Sequence, residues 1–216
     1  MKNSVKIKIC GLKRKEDIMI ANRLRPDYAG FVFAGSKRRI SEETAEEFAR
    51  MLDPEIKKVG VFVDAPQEQI LRLLDKSVID LAQLHGNESE ETVHRIRLQS
   101  AKPVIQVRIL KPGDAMGQKH MTEAEYLLFD SGMGSGKQLE KESLKLLKQL
   151  DRPYFLAGGL DPDNIAGVLD ILSDCLPYAV DVSSGVETDG CKDEQKVRDF
   201  IACVRAINGK GKNDSR

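Results

Sequence analysis

The sequence predicts a single-domain α/β protein, a (βα)8 TIM barrel. Three observations carry that prediction: short β-rich runs alternate with longer amphipathic runs, the pair recurs eight times, and the units average about 27 residues. An open doubly wound sheet more often stops at five or six strands. With 216 residues the chain can bury one substantial core, and a second domain is not required. Residues 1–207 are assigned to the barrel, and the polar, glycine-broken stretch 208–216 to a flexible tail.

Strand one is VKIKI at 5–9, followed by a helix candidate at 14–24. Strand two, YAGFVF at 28–33, leads to the clearest helix, 41–52. There Ser41 caps, Glu42 and Glu43 suit the positive end of the first turn, and Ala45, Phe48, Ala49 and Leu52 form one apolar stripe. Thr44 stands where a capping box needs Glu or Gln, so the full box is absent. Strand three, KVGVFV at 58–63, precedes a helix at 66–76, with Pro66 in its first turn and Ile70, Leu73 and Leu74 facing inward. Strand four is IDLAQL at 79–84, with a helix at 88–99, and strand five is PVIQVRI at 103–109. The segment 111–124 is the weakest, because Pro112, Gly113 and Gly117 reduce it to loop plus a short helix. Strand six, YLLFD at 126–130, is followed by a helix at 140–150, and strand seven, PYFLA at 153–157, by one at 161–173. In the latter, Asp161-Pro162 reads as a cap and a first helical residue. Strand eight, YAVDV at 178–182, is followed by a helix at 193–207.

Bulk properties narrow the function. Lys+Arg and Asp+Glu are each 34, so no nucleic-acid or anionic-membrane partner is expected, and an anionic ligand needs a local site. No apolar run approaches the roughly 20 residues of a membrane span. The start, MKNSVKIKIC, lacks the pattern of a secretory signal, and a cytoplasmic location is expected. Cys10, Cys175, Cys191 and Cys203 are scattered without a C-x-x-C pair, which points to reduced thiols rather than disulfides or zinc. The histidines at 85, 94 and 120 have no metal-ligand spacing, so neither metal nor cofactor is expected.

In a βα barrel the reactive groups follow the strands. Here strand one runs into Cys10, strand two toward Arg38, strand four into His85, strand five ends near Arg108, and strand six ends at Asp130. Turns with Gly158 and Gly159 after strand seven, and Ser183, Ser184 and Gly185 after strand eight, have the composition of the usual barrel phosphate site. Small residues there let backbone N–H groups converge on phosphate oxygens. A phosphorylated small-molecule substrate is implied, although one such loop alone reads equally well as a tight turn. SGMGSGKQ at 131–138 fails as a P-loop, because Ser131 and Gln138 occupy places that need Gly and Ser or Thr. It reads as a lid or as a plain solvated loop.

Taken alone, Cys10 reads first as an inert buried thiol, but at the barrel mouth a thiolate could remove a proton from carbon. Asp130 could hold a proton for a general acid, or equally cap a helix or pair with a lysine. Arg38 lies in a basic cluster with Lys37 and Arg39, usually a solvated loop, yet an arginine at the rim suits a bidentate grip on a carboxylate. His85 and Arg108 are assigned to substrate contact by their strand-end positions.

Read together, KICGL at 8–12, GFVF at 30–33, SKRRIS at 36–41, VGVFV at 59–63, QLHG at 83–86, LLFDS at 127–131, GSGK at 134–137, LAGGLDPDNI at 156–165 and DVSSGVE at 181–187 resemble the phosphoribosylanthranilate isomerase family, in order along nearly the whole chain. The resemblance implies an Amadori rearrangement of an N-phosphoribosyl anthranilate aldose to a 1-deoxyribulose ketose phosphate. It places the family's catalytic cysteine on Cys10, its catalytic aspartate on Asp130, an arginine for the anthranilate carboxylate on Arg38 and a polar substrate contact on Asp181. The chain departs from the family after Lys137, where QLEKESL replaces a phenylalanine-aspartate-tryptophan stretch, and at Met133, which replaces a glycine. Two rivals remain at this stage: another phosphosugar barrel enzyme, against which KICG speaks, and a catalytically silent barrel that binds a phosphorylated metabolite. The oligomeric state is not legible in the sequence, and a monomer is the working expectation.

Overall fold

The computed structural model describes residues 4–110, 121–130 and 141–213. Eight parallel strands close into a barrel in chain order: β1 (Lys6–Cys10), β2 (Tyr28–Val32), β3 (Lys57–Phe62), β4 (Leu81–Leu84), β5 (Val104–Ile109), β6 (Tyr126–Asp130), β7 (Tyr154–Leu156) and β8 (Ala179–Val182). The seam is made by β8 against β1, with Lys8 opposite Asp181. Helices α1 (Lys15–Leu24), α2 (Glu42–Met51), α3 (Gln67–Asp75), α4 (Glu90–Ser100), α5 (Lys141–Leu146), α6 (Ile165–Ile171) and α7 (Glu194–Asn213) cross outside. Residues 111–120 of the weak segment and all of 131–140, with the loop read as a lid, Met133 and residues 138–140 of the stretch after Lys137, lie outside the described residues, while the rest of that stretch opens α5.

The two-residue period of each strand sorts its side chains into two cores. One set, including Ile7, Ile9, Phe31, Phe62, Leu84, Phe129 and Val180, packs outward under the helices. The other, including Tyr28, Val59, Leu81, Ile105, Leu128 and Phe155, fills the barrel interior. Phe155, fully buried, meets Tyr28 and Tyr126 edge-on, each at a centroid distance of 5.4 Å. Tyr126 stacks on Tyr178 at 4.8 Å, and the hydroxyls of Tyr28 and Tyr178 hydrogen-bond at 2.9 Å. Among the described residues the strands therefore surround a packed plug and not a pore, and the barrel interior has room for a ligand toward the carboxyl ends.

Local signals behave as physics dictates at α2, where the Ser41 hydroxyl accepts from Thr44 N at 3.2 Å. The start of α6 differs from expectation. Asp161 Oδ1 accepts from Asp163 N and Asn164 N, which holds 161–164 as a turn, and the helix begins only at Ile165. The last helix runs past 207 to Asn213 and corrects that boundary. Its Asn208 side chain accepts from Val5 N at 2.8 Å and donates to Val5 O at 3.0 Å, so this stretch is tied to the first strand. A short antiparallel hairpin absent from the sequence reading, β9 (Glu187–Thr188) with β10 (Cys191–Lys192), precedes α7. Among the described residues no helix is long and apolar enough to cross a membrane.

Candidate active site

Toward the carboxyl ends of the strands the interior turns polar. Lys8 precedes Cys10 by two residues in β1 and so faces inward with it, completely buried. An isolated ammonium there would be very costly, and the fold compensates it. Lys8 Nζ donates to Asp181 Oδ2 at 2.6 Å and to Gln83 Oε1 at 2.9 Å. Burial works against the ammonium, but the attraction of Asp181 and then of Cys10 outweighs it and holds Lys8 above the usual lysine range. Gln83, buried in β4, places its amide nitrogen 3.2 Å from Nδ1 of His85, two residues on. His85 Nε2 in turn lies 3.6 Å from Asp130 Oδ2 at the end of β6. Burial, with Lys8 adding to it, depresses the basicity of His85 despite the nearby Asp130, so the ring is neutral.

Cys10 is buried where β1 meets β2. A Cβ on Gly30 would come within 2.8 Å of its sulfur, so only glycine at that position leaves the thiol its place. Burial pushes the Cys10 thiol up, against the pull of Lys8 and Lys192. Its conjugate thiolate is correspondingly basic.

Arg38 reaches across the end of β1. A Cβ on Gly11 (φ +80°) would strike Arg38 Cδ at 2.4 Å, so glycine is required there by both space and backbone conformation. The guanidinium is not loose: Nε and Nη2 donate to the two oxygens of Glu187, each at 2.7 Å. Lys192 Nζ donates to Glu187 Oε1 at 2.7 Å and to Ser183 O at 3.0 Å. Burial opposes charge on Glu187, but Arg38 and Lys192 hold its carboxyl down to about 2. The bidentate grip expected of Arg38 on a ligand carboxylate is here taken by Glu187, through Nε and Nη2 of the guanidinium.

The loops after β7 and β8 interlock. Gly158 (φ +96°) and Gly159 (φ +62°) turn the first, and Asn164 Nδ2 braces it by donating to Gly159 O at 2.8 Å. A Cβ on Gly185 would sit 1.9 Å from Leu160 O, so the second loop lies directly against the first. Ser183 Oγ donates to Cys10 O at 3.0 Å and links this loop to the end of β1.

These groups border one cavity of about 450 Å³. Of the residues foreseen from sequence, Cys10, Arg38, His85, Asp130 and Asp181 line it, and Gly158, Gly159, Ser183 and Ser184 form its other wall. Gly185 instead packs the two loops together. Arg108 is not brought to the cavity. Ile105 and Val107 point inward, so Arg108 falls on the helix side, where Nη2 donates to Glu90 Oε1 and Gln106 Oε1, each at 2.9 Å. Sequence reasoning passed over Lys8, Gln83, Glu187 and Lys192. For Lys8 and Gln83 a signal existed, since each stands two residues before a foreseen site residue on the same strand.

The family described as N-(5'-phosphoribosyl)anthranilate (PRA) isomerase matches residues 7–203. A curated relative from Endomicrobium trichonymphae, named N-(5'-phosphoribosyl)anthranilate isomerase, is 44% identical over 207 residues, covering 94% of this chain and 99% of its own. The crystal structure of phosphoribosyl anthranilate isomerase from Thermus thermophilus superposes with a TM-score of 0.83 at 35% identity, over 94% of this chain and 100% of that one. A second solved structure, a phosphoribosyl anthranilate isomerase in complex with reduced 1-(o-carboxyphenylamino)-1-deoxyribulose 5-phosphate, matches at 30% identity with a TM-score of 0.80, over 94% and 99% of the two chains.

Proposed function

The chain belongs to the phosphoribosylanthranilate isomerase family, and from that premise we propose which of its residues perform the reaction. The reaction is the Amadori rearrangement of N-(5-phosphoribosyl)anthranilate to 1-(2-carboxyphenylamino)-1-deoxyribulose 5-phosphate, an intramolecular aldose–ketose isomerisation of tryptophan biosynthesis.

Asp130 is the general acid and Cys10 the general base. Asp130 gives its proton to the furanose ring oxygen. The C1–O bond breaks as the nitrogen lone pair forms a C=N bond, and the ring oxygen leaves as the C4 hydroxyl. The Cys10 thiolate then takes the C2 proton, and the electron pair forms a C1=C2 enolamine with neutral nitrogen. Ketonisation completes the change: the C2 hydroxyl proton passes to Asp130, and Cys10 returns a proton to C1. Both residues end in their starting protonation states. The phosphate binds among the backbone N–H groups of the Gly158–Gly159 turn and the Ser183–Ser184 loop, fixing the sugar between acid and base. Arg38 takes the anthranilate carboxylate through the side of its fork not used by Glu187, and Asp181 Oδ1 accepts from a sugar hydroxyl.

One observation carries this reading: a thiol from β1 and a carboxyl from β6 border the same cavity, with the arginine and the glycine–serine loops beside them. The test follows loss of anthranilate-type fluorescence when phosphoribosyl anthranilate is mixed with the purified protein, its Cys10→Ala variant and its Asp130→Asn variant. Near-normal rates in either variant would remove that residue from the scheme.

A further inference from the structure

Neither Lys8 nor Gln83 has a part in the proton transfers just described, yet both are buried and hydrogen-bonded to each other and to Asp181 and His85, which line the cavity. Donor and acceptor chemistry leaves their arrangement only one solution. A lysine ammonium has hydrogens and no acceptor, so the atom of Gln83 that faces Lys8 Nζ at 2.9 Å is the amide oxygen. The other end of that amide, 3.2 Å from His85 Nδ1, is therefore the NH2 group, which only donates. Nδ1 must accept. A neutral imidazole carries one hydrogen, and with Nδ1 accepting, that hydrogen resides on Nε2.

His85 Nε2 is buried and has no hydrogen-bond partner among the described residues, while the ring lines the cavity. Its distance of 3.6 Å from Asp130 Oδ2 is longer than a hydrogen bond, so the hydrogen remains available to a ligand oxygen lying beside Asp130. Charged groups around the ring are Asp130 from β6, Lys8 from β1, Asp181 from β8 and Glu88 from the loop after β4. Burial is the main reason the ring stays uncharged, as a single-hydrogen tautomer requires.

We propose that Lys8 and Gln83 are positioning residues that lock His85 in its Nε2–H tautomer, and so make it an obligate hydrogen-bond donor to the substrate oxygen that Asp130 serves. The proposal deepens the reading above, because the oxygen in question is the one that gains or loses charge as Asp130 moves its proton. A donor already aimed there needs no reorientation as that charge changes. The ammonium that sets the amide also faces the Cys10 sulfur, so one buried cation orients the acid side of the cavity and stabilises the thiolate on the base side.

The test separates the tautomer from the activity. In 15N-histidine-labelled, ligand-free protein near neutral pH, the His85 signals are identified by their loss in His85→Asn. The proposal expects an unprotonated Nδ1 and a protonated Nε2. A protonated Nδ1, or an imidazolium, would overturn it whether or not the protein is an isomerase. Gln83→Glu keeps the shape but places an acceptor against Nδ1, so it should move the hydrogen to Nδ1 and lower kcat by about ten- to a hundred-fold, with a smaller change in KM. A moved hydrogen with unchanged kcat would overturn the catalytic half of the proposal. If Gln83→Glu does not fold, the wild-type spectrum alone decides.

Discussion

The floor and the mouth of this barrel are built from the same eight strands and obey opposite rules. On the floor, Tyr28, Tyr126, Phe155 and Tyr178 interlock, and the Tyr28 and Tyr178 hydroxyls satisfy each other. At the mouth, three or four residues further along the strands, buried polar atoms stand without such matching. Asp181 Oδ1 and His85 Nε2 have no hydrogen-bond partner among the described residues. Orphaned buried polar atoms cost about 1–3 kcal/mol each, so a fold keeps them where something else will meet them. The difference teaches where stability ends and recognition begins along a single strand.

The largest effect should come from the mouth and leave the floor untouched. Cys10→Ala and Asp130→Asn are each expected to lose roughly a hundred- to ten-thousand-fold in turnover, with urea midpoints close to wild type. A large midpoint shift with turnover preserved would erase the distinction between the two layers. Phe155→Ala is the converse. It should cost about 3–5 kcal/mol in urea unfolding, while the folded fraction keeps a near-normal KM. A catalytic defect in that folded fraction would mean the plug shapes the site directly.

Gly30→Ala tests the boundary between them, because its added methyl would fall 2.8 Å from the Cys10 sulfur. The sulfur must move, and turnover should drop about tenfold with only modest destabilisation, on the order of 1–2 kcal/mol. Unchanged turnover would show that the thiol tolerates displacement. The smallest effect is electrostatic. Glu187 is held down to about 2 from an ordinary 4.5, so the stability it supplies is complete above pH 4.5 and is lost as pH falls toward 2. It amounts to roughly 3 kcal/mol at most. Glu187→Gln should therefore flatten the acid limb of stability against pH, read by chemical unfolding between pH 5 and 3. An equally steep limb would place the acid sensitivity elsewhere.

Much of this was legible without coordinates, for reasons the strands make plain. Period-two apolar runs and the turns between them are local signals, and eight of each leave little choice of architecture. The strand-end residues Cys10, Asp130 and His85 were readable because the barrel places every strand end at one mouth, whereas Asp181 came only with the family resemblance. Lys8 was not, because a lysine in KIKIC looks like a charge breaking an apolar run, and its compensation by Asp181 and Gln83 spans the barrel. Arg108 failed for the complementary reason. Position along a strand sets depth, but only the phase of the alternation sets side, and β5 shows apolar residues at every second place without saying which face they take. Glu187 sat within a recognised stretch, yet its hold on Arg38 depends on the hairpin after β8, which no local pattern announced.

The two bonds between Asn208 and Val5 join residues from opposite ends of the chain, beside the seam where β8 closes on β1. During synthesis the first strand therefore waits, with one edge unpaired, until the final strand and helix have been made. A ribosome-bound chain stopped short of β8 would hold Cys10 on an open, aggregation-prone edge, and joining the two termini to cut the ring elsewhere would relieve that wait.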